Sequence, residues 1–174
     1  MADLSVLEKA TLLKDAVFGA NDGIITTFAV VAGSQGARLS PEIVIILGLA
    51  NLFADGVSMA TGNYLGVQSE VAYQKENKEV SIHADHTPLR HAATTFASFV
   101  LAGFLPLIPF LVNIPNRFIY SAILVGLTLF VVGSLRSIYT KKGWVIGGLQ
   151  MFFVGGIAAA IAYLVGYGVD RYLI

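Results

Sequence analysis

Two aspartates, Asp22 and Asp55, fall near the middle of the first two of about five stretches apolar enough to cross a membrane. A carboxylate at bilayer depth costs about 3 kcal/mol on insertion scales, so it is normally found facing a partner, a water-filled path or an ion. In the first stretch Asp15, Gly19, Asp22 and Thr26 are spaced i, i+4, i+7, i+11, which is one face of a helix. In the second, Asn51, Asp55, Met59 and Asn63 follow an i, i+4, i+8, i+12 row. The two stretches run in opposite directions, so the rows can meet. Asp22 and Asp55 then lie at similar depth, with Met59 and Asn63 toward the cytoplasm.

The chemistry of that set is specific. Two carboxylates are hard, anionic oxygen ligands, and Asn51 and Ser58 offer neutral oxygens. Met59 offers a thioether, which a transition metal accepts and magnesium hardly uses. Carboxylates also bind protons, and a ligand must lose its proton to hold a metal. Metal and protons competing for Asp22 and Asp55 are a minimal basis for exchange. Taken singly, Met59 reads as packing, and Asn51 and Ser58 as interhelical hydrogen bonders. The two aspartates differ, because neither stretch contains a Lys or Arg to neutralise them.

The elements that must position these residues follow from composition. Of 174 residues 56% are hydrophobic and only 13% charged, against about 25% in a soluble domain. Mean hydropathy is +0.74. The chain therefore reads as an all-α membrane protein, a single transmembrane domain over residues 1–174. Formal net charge is zero, which gives no reason to expect a nucleic-acid partner. The absence of cysteine excludes disulfides, thiolate metal sites and cysteine nucleophiles. Asp3, Glu8 and Asp15 interrupt the basic and apolar segments that a cleavable signal peptide needs, so none is expected.

The expected spans are about 15–33, 41–67, 92–112, 118–138 and 144–169. About 20 residues suffice to cross, so the second should project into water. The one long connector, residues 68–91, reads as a cytoplasmic linker: a helical extension and then a turn before Pro88. It holds Glu70, Glu76, Glu79, Asp85 and all three histidines. With the N-terminus in the cytoplasm, eight basic residues face inward (Lys9, Lys14, Lys75, Lys78, Arg90, Arg136, Lys141, Lys142). Only Arg38, Arg117 and Arg171 face outward. That bias sets the orientation and puts the C-terminus outside. Pro106 and Pro109 should kink or end the third helix. Gly147, Gly148, Gly155, Gly156, Gly166 and Gly168 in the fifth span read as close helix packing.

The run Asp15–Thr27 (DAVFGANDGIITT), the run Ala50–Gly66 (ANLFADGVSMATGNYLG) and Ser69-Glu70 together resemble the vacuolar iron transporter family, which includes plant nodulin-like and yeast calcium-cross-complementing relatives. The resemblance extends over nearly the whole chain. It implies a five-span homodimer in the lipid bilayer that moves ferrous iron, and often manganese, out of the cytoplasm against protons, with no permanently bound cofactor. By position it makes Asp15 and Asp22 the carboxylates of the first span and Met59 the thioether of the path. Asp55 lies in the family's Ala-Asp motif. Asn51, Asn63 and Glu70 fall at polar positions near the same helix and its cytoplasmic end. Asp22 and Asp55 are the expected proton-coupling groups.

The sequence departs from that pattern in two places. Only about twenty residues join the second and third spans, so the glutamate-rich cytoplasmic domain of the better-known transporters is absent: this is a short form. Where those read Gly-Glu-Tyr, this chain has Gly62-Asn63-Tyr64. Both changes remove negative charge from the cytoplasmic entrance. His83 and His86, at i, i+3 with Asp85 and His91 nearby, are candidates for a weak entry site there. The alternative is a solvated linker whose lysines answer the anionic leaflet.

Three other function classes were weighed. An intramembrane aspartyl protease would need a Gly-x-Gly-Asp pattern, which Asn21-Asp22-Gly23 and Ala54-Asp55-Gly56 do not provide. A metal-binding or sensing membrane protein without coupled flux, and a passive metal channel, both use the same carboxylates. Expected localisation is the plasma (inner) membrane of a prokaryote, or a vacuolar or other organelle membrane of a eukaryote.

Overall fold

The computed structural model describes residues 4–77, 88–112, 114–139, 141 and 143–173, with side chains from Lys9 onward. Every regular element among them is helical. In chain order these are α1 (Leu4–Gly36), α2 (Pro41–Glu76), α3 (Pro88–Gly103), a 3-10 turn (Leu105–Leu107), α4 (Ile108–Leu111), α5 (Arg117–Tyr139) and α6 (Trp144–Tyr172). Five segments are long and apolar enough to cross a membrane: Lys9–Gly36, Pro41–Glu76, Pro88–Leu111, Arg117–Tyr139 and Trp144–Tyr172. Large apolar side chains such as Ile46, Phe53, Leu101, Leu127 and Phe153 are exposed along them. In water that would be an aggregation hazard, and in lipid it is the ordinary outer surface.

Local sequence accounts for the breaks. Arg38 closes α1 in the left-handed region (φ 53), and Ser40 with Pro41 opens α2, proline being favoured in a first helical turn. This short turn makes α1 and α2 antiparallel. Pro106 and Pro109 lack amide protons, and the third span breaks there into α3, the 3-10 turn and α4. The buried Ser121 hydroxyl on α5 donates to the Pro106 carbonyl at 2.7 Å. That satisfies a backbone group which lipid could not.

Helix α1 is the axis of the bundle, packing against α2, α3, α5 and α6. Its contacts are made through small residues. Gly19 and Gly23 lie against the backbone of Thr95 and Phe99 on α3, and Gly33 and Gly36 lie against α6 at Ala162, Tyr163 and Gly166. Without a side chain at these points the backbones approach closely, which is what drives association where there is no hydrophobic effect to help. Around them Ile24, Phe28, Val31, Val44, Leu107, Leu129 and Met151 form the buried core. Of the glycines in the last span, Gly147, Gly148, Gly155 and Gly166 face a neighbouring helix. Gly156 and Gly168 face open space, so close packing accounts for four of the six.

That contrast is testable. A Cβ at Gly166 would collide with the carbonyl of Gly33, whereas one at Gly168 meets nothing. Gly166→Ala should lower stability by about 1–3 kcal/mol. Gly168→Ala should be neutral or stabilise by up to about 1 kcal/mol through helix propensity. Thermal unfolding in detergent compares the two.

Candidate metal site

Helix geometry sets the depth of each candidate. Asp22 lies fourteen residues before Gly36 and Asp55 fourteen residues after Pro41. At 1.5 Å per residue each is about 21 Å from the turn that joins α1 to α2. They therefore share one level, about two-thirds of the way across a hydrocarbon core of ~30 Å. Both are half-buried, and they are close enough to interact through their charges. On the same helix Asn51 lies about 15 Å and Met59 about 27 Å from the turn, both half-buried. Glu70, about 44 Å along, is exposed and accepts a hydrogen bond from Gln74 at 3.2 Å. It stands beyond the hydrocarbon core.

Several buried polar atoms beside the carboxylates have no hydrogen-bond partner among the described residues: Oδ1 of Asn21, Oγ1 of Thr27 and Nδ2 of Asn51. Such atoms are costly in an apolar interior unless something else satisfies them. Thr26, by contrast, is occupied, its hydroxyl donating to the Asp22 carbonyl at 2.8 Å. Asp22 and Asp55 contribute two carboxylates. Among the described residues no three His, Cys, Asp or Glu side chains gather to hold a metal ion. One chain thus offers a partial ligand set.

Asp15 goes to a different partner. Its Oδ2 lies 2.5 Å from Nδ1 of His91 on α3, with the two side chains 4% and 1% exposed. Lys14 also approaches Oδ1 at 3.8 Å, but its side chain is 72% exposed, so that contact contributes little. Asn63 braces the same place. Its Nδ2 donates to the Thr95 hydroxyl at 2.7 Å and to the His91 carbonyl at 3.3 Å. One polar cluster therefore joins α1, α2 and α3 at the side away from the turn between α1 and α2.

This corrects one expectation. His91 is not part of a solvated linker; it is the fourth residue of α3 and almost fully buried. The signal was present in the sequence, since His91, Thr95, Phe99 and Gly103 follow an i, i+4 row, and the whole row is buried. Asn63 commits its amide nitrogen to α3, a role its position in the Met59 row did not suggest. His83, His86 and Asp85 lie outside the described residues.

The Asp15–His91 contact should be strongly coupled. A double-mutant cycle with Asp15→Asn and His91→Gln, read by thermal unfolding in detergent, should return a coupling of about 1–3 kcal/mol. Additive effects would mean that the contact contributes nothing.

Comparison with known proteins gives a consistent picture. A sequence model of the VIT family matches residues 13–83 and 75–167. The chain is similar to "Vacuolar iron transporter homolog 3" of Arabidopsis thaliana, 30% identical over 164 residues that cover 90% of this chain and 82% of the relative. It is 26% identical to "Vacuolar iron transporter" of Plasmodium berghei (strain Anka) over 220 residues, covering 88% of this chain and 81% of the relative. The "Vacuolar iron transporter" of Plasmodium falciparum (isolate 3D7) is 52% identical over a shorter stretch of 52 residues, 30% of this chain. An alignment of 220 residues is longer than this 174-residue chain, so the Plasmodium berghei protein carries a segment that this one lacks.

Proposed function

This chain belongs to the VIT family, and from that premise we propose that it is a proton-coupled transporter exporting ferrous iron and/or manganese from the cytoplasm. It is an integral membrane protein of a transporter family, not an enzyme. The observation that carries the proposal is the placement of Asp22 and Asp55 at one depth on antiparallel helices, with no Lys or Arg between residues 15 and 36 or between 41 and 67 to neutralise them.

The proposed ligand set is Asp22, Asn51, Asp55 and Met59. Two carboxylates held together cannot both stay ionised cheaply in a low dielectric. A proton relieves one, and a divalent cation relieves both. Release of a proton as the metal binds then couples the two flows. Met59, about a turn nearer the cytoplasm than Asp55, favours a transition metal over magnesium or calcium. Glu70 lies on the cytoplasmic approach to this set; Asp15 is taken up by His91, and Asn63 braces α2 against α3. The orientation, with the N-terminus in the cytoplasm and the C-terminus outside, follows the basic-residue bias.

A homodimer completes the reading, because two copies supply four carboxylates where one supplies two. The short connector also fits. The family match falls into two pieces that meet at residues 75–83, the place where the extra segment of longer relatives would enter. Without it, capture falls to the intramembrane set, with any help from His83 and His86 weak. The membrane would be the inner membrane of a prokaryote or a vacuolar or other organelle membrane of a eukaryote.

Proteoliposomes with a pH gradient and a metal-sensitive dye test this. Ferrous iron and manganese should enter with proton counterflow, zinc and calcium more slowly. Asp22→Asn and Asp55→Asn should each abolish flux while the protein stays folded. Unchanged flux in both variants overturns the mechanism. Flux without counterflow indicates a channel, and binding without flux a sensor. Met59→Leu should raise the half-saturating iron concentration about tenfold, corresponding to ~1.4 kcal/mol.

A further inference from the structure

Near the outer side α1 and α6 are drawn together by Gly33, Gly36 and Gly166. Toward their first turns they part. A groove of about 1140 Å³ opens there between α1 and α6, with the end of α5 at its edge. It follows α1 from Ala10 to Asn21, about 16 Å. Asn21 lies about 22 Å and Ala10 about 39 Å from the turn between α1 and α2, so the groove runs from the headgroup region into roughly the first 8 Å of a ~30 Å hydrocarbon core. Leu13, Val17 and Phe18 form one wall, and Leu149, Phe153 and Val154 the other. Phe18 is 60% exposed. Lys14, which also approaches Asp15 at 3.8 Å, and Arg136 stand toward the cytoplasmic end, and among the described residues no carboxylate lines the groove.

We propose that this groove binds one anionic phospholipid of the cytoplasmic leaflet, its phosphate held by Lys14 and Arg136 and an acyl chain lying between α1 and α6. Basic pockets between membrane helices on the cytoplasmic side suit acidic headgroups, each Lys or Arg near the surface contributing electrostatic attraction. Long basic side chains can lay their stems along the apolar wall and keep the charge at the interface. Gln150, about 9 Å into α6, lines the same groove and carries an amide suited to an ester carbonyl. The groove is ill suited to the metal, because two positive charges at its mouth repel a divalent cation. It is also ill suited to a second copy of the chain. A two-fold contact brings the same patch against itself, which would gather two Lys14 and two Arg136 side chains, a like-charge cost. From the proposed function this site takes only the orientation.

The test is native mass spectrometry of the detergent-solubilised chain titrated with phosphatidylglycerol or phosphatidylcholine of identical acyl chains. One phosphatidylglycerol should be retained per chain in preference to phosphatidylcholine. Lys14→Gln and Arg136→Gln should each weaken its retention about fivefold, and Lys14→Arg should preserve it. Val154→Phe, which narrows the groove without altering charge, should also weaken it. Equal retention of the two lipids, or a preference unchanged in the doubly neutralised variant, overturns the proposal. The chain has no cysteine, so Phe153→Cys, on the α6 wall away from Asp22, adds a check: ready disulfide formation between copies would mean that a second chain occupies the groove and overturn the proposal. None of these readouts depends on metal flux, so failure here leaves the transport reading standing, and failure of transport leaves this one standing.

Discussion

A carboxylate inside a bilayer must be given something to face, and the arrangement of α1, α2 and α3 can be understood as the answer to that demand. Three aspartates enter the apolar region on two helices. Asp15, nearest the start of α1, is met by His91 at 2.5 Å and sealed from solvent. Asp22 and Asp55 lie level with each other on antiparallel helices. Two anions at one level do not solve the problem of charge in lipid. The first carboxylate is answered within the chain, and on the proposed reading a proton or a cation answers the other two.

Both outcomes require α1 to stand very close to its neighbours. Gly19 and Gly23 allow it to press its backbone onto α3. This brings the side chain of Asp15, one turn away from Gly19, within reach of His91. A Cβ at Gly19 or Gly23 would come within 3.0 Å of the Thr95 or Phe99 carbonyl, so α1 would have to move away from α3. The same device, applied through Gly33, Gly36 and Gly166, ties the end of α1 to α6. It leaves the two helices parted toward their first turns, where Lys14 and Arg136 line the groove. Glycine placement thus fixes where α1 is rigidly held and where it borders on space.

The short connector changes the balance of the site. The residue at position 63 is an amide rather than an acid, and it uses its two protons to donate to Thr95 and the His91 carbonyl. A carboxylate there could not donate to the carbonyl. That position braces α2 against α3, so where the resemblance marks a departure from the family's Gly-Glu-Tyr, the structure gives the amide a packing role.

Much was legible in the sequence. Hydrophobic length gave five membrane-crossing segments, because the thickness of a bilayer is fixed and a helix rises by a fixed amount per residue. The same arithmetic placed Asp22 and Asp55 level with each other, once the short turn around Ser40 and Pro41 made the helices antiparallel. Two prolines marked the break in the third span. What the sequence could not reveal was which residues far apart in the chain would meet. Asp15 and His91 are separated by 76 positions, and His91 sits next to a polar connector that hides its burial. Asn63 lies in the same row as Met59, and only the position of α3 shows that its amide is already engaged. The groove likewise depends on where α1 and α6 diverge. Local pattern determines which segments enter the membrane and at what depth each polar group rides. Only tertiary packing decides which neighbour each group faces, because that depends on helix rotation and close approach, and these are set by all the contacts at once.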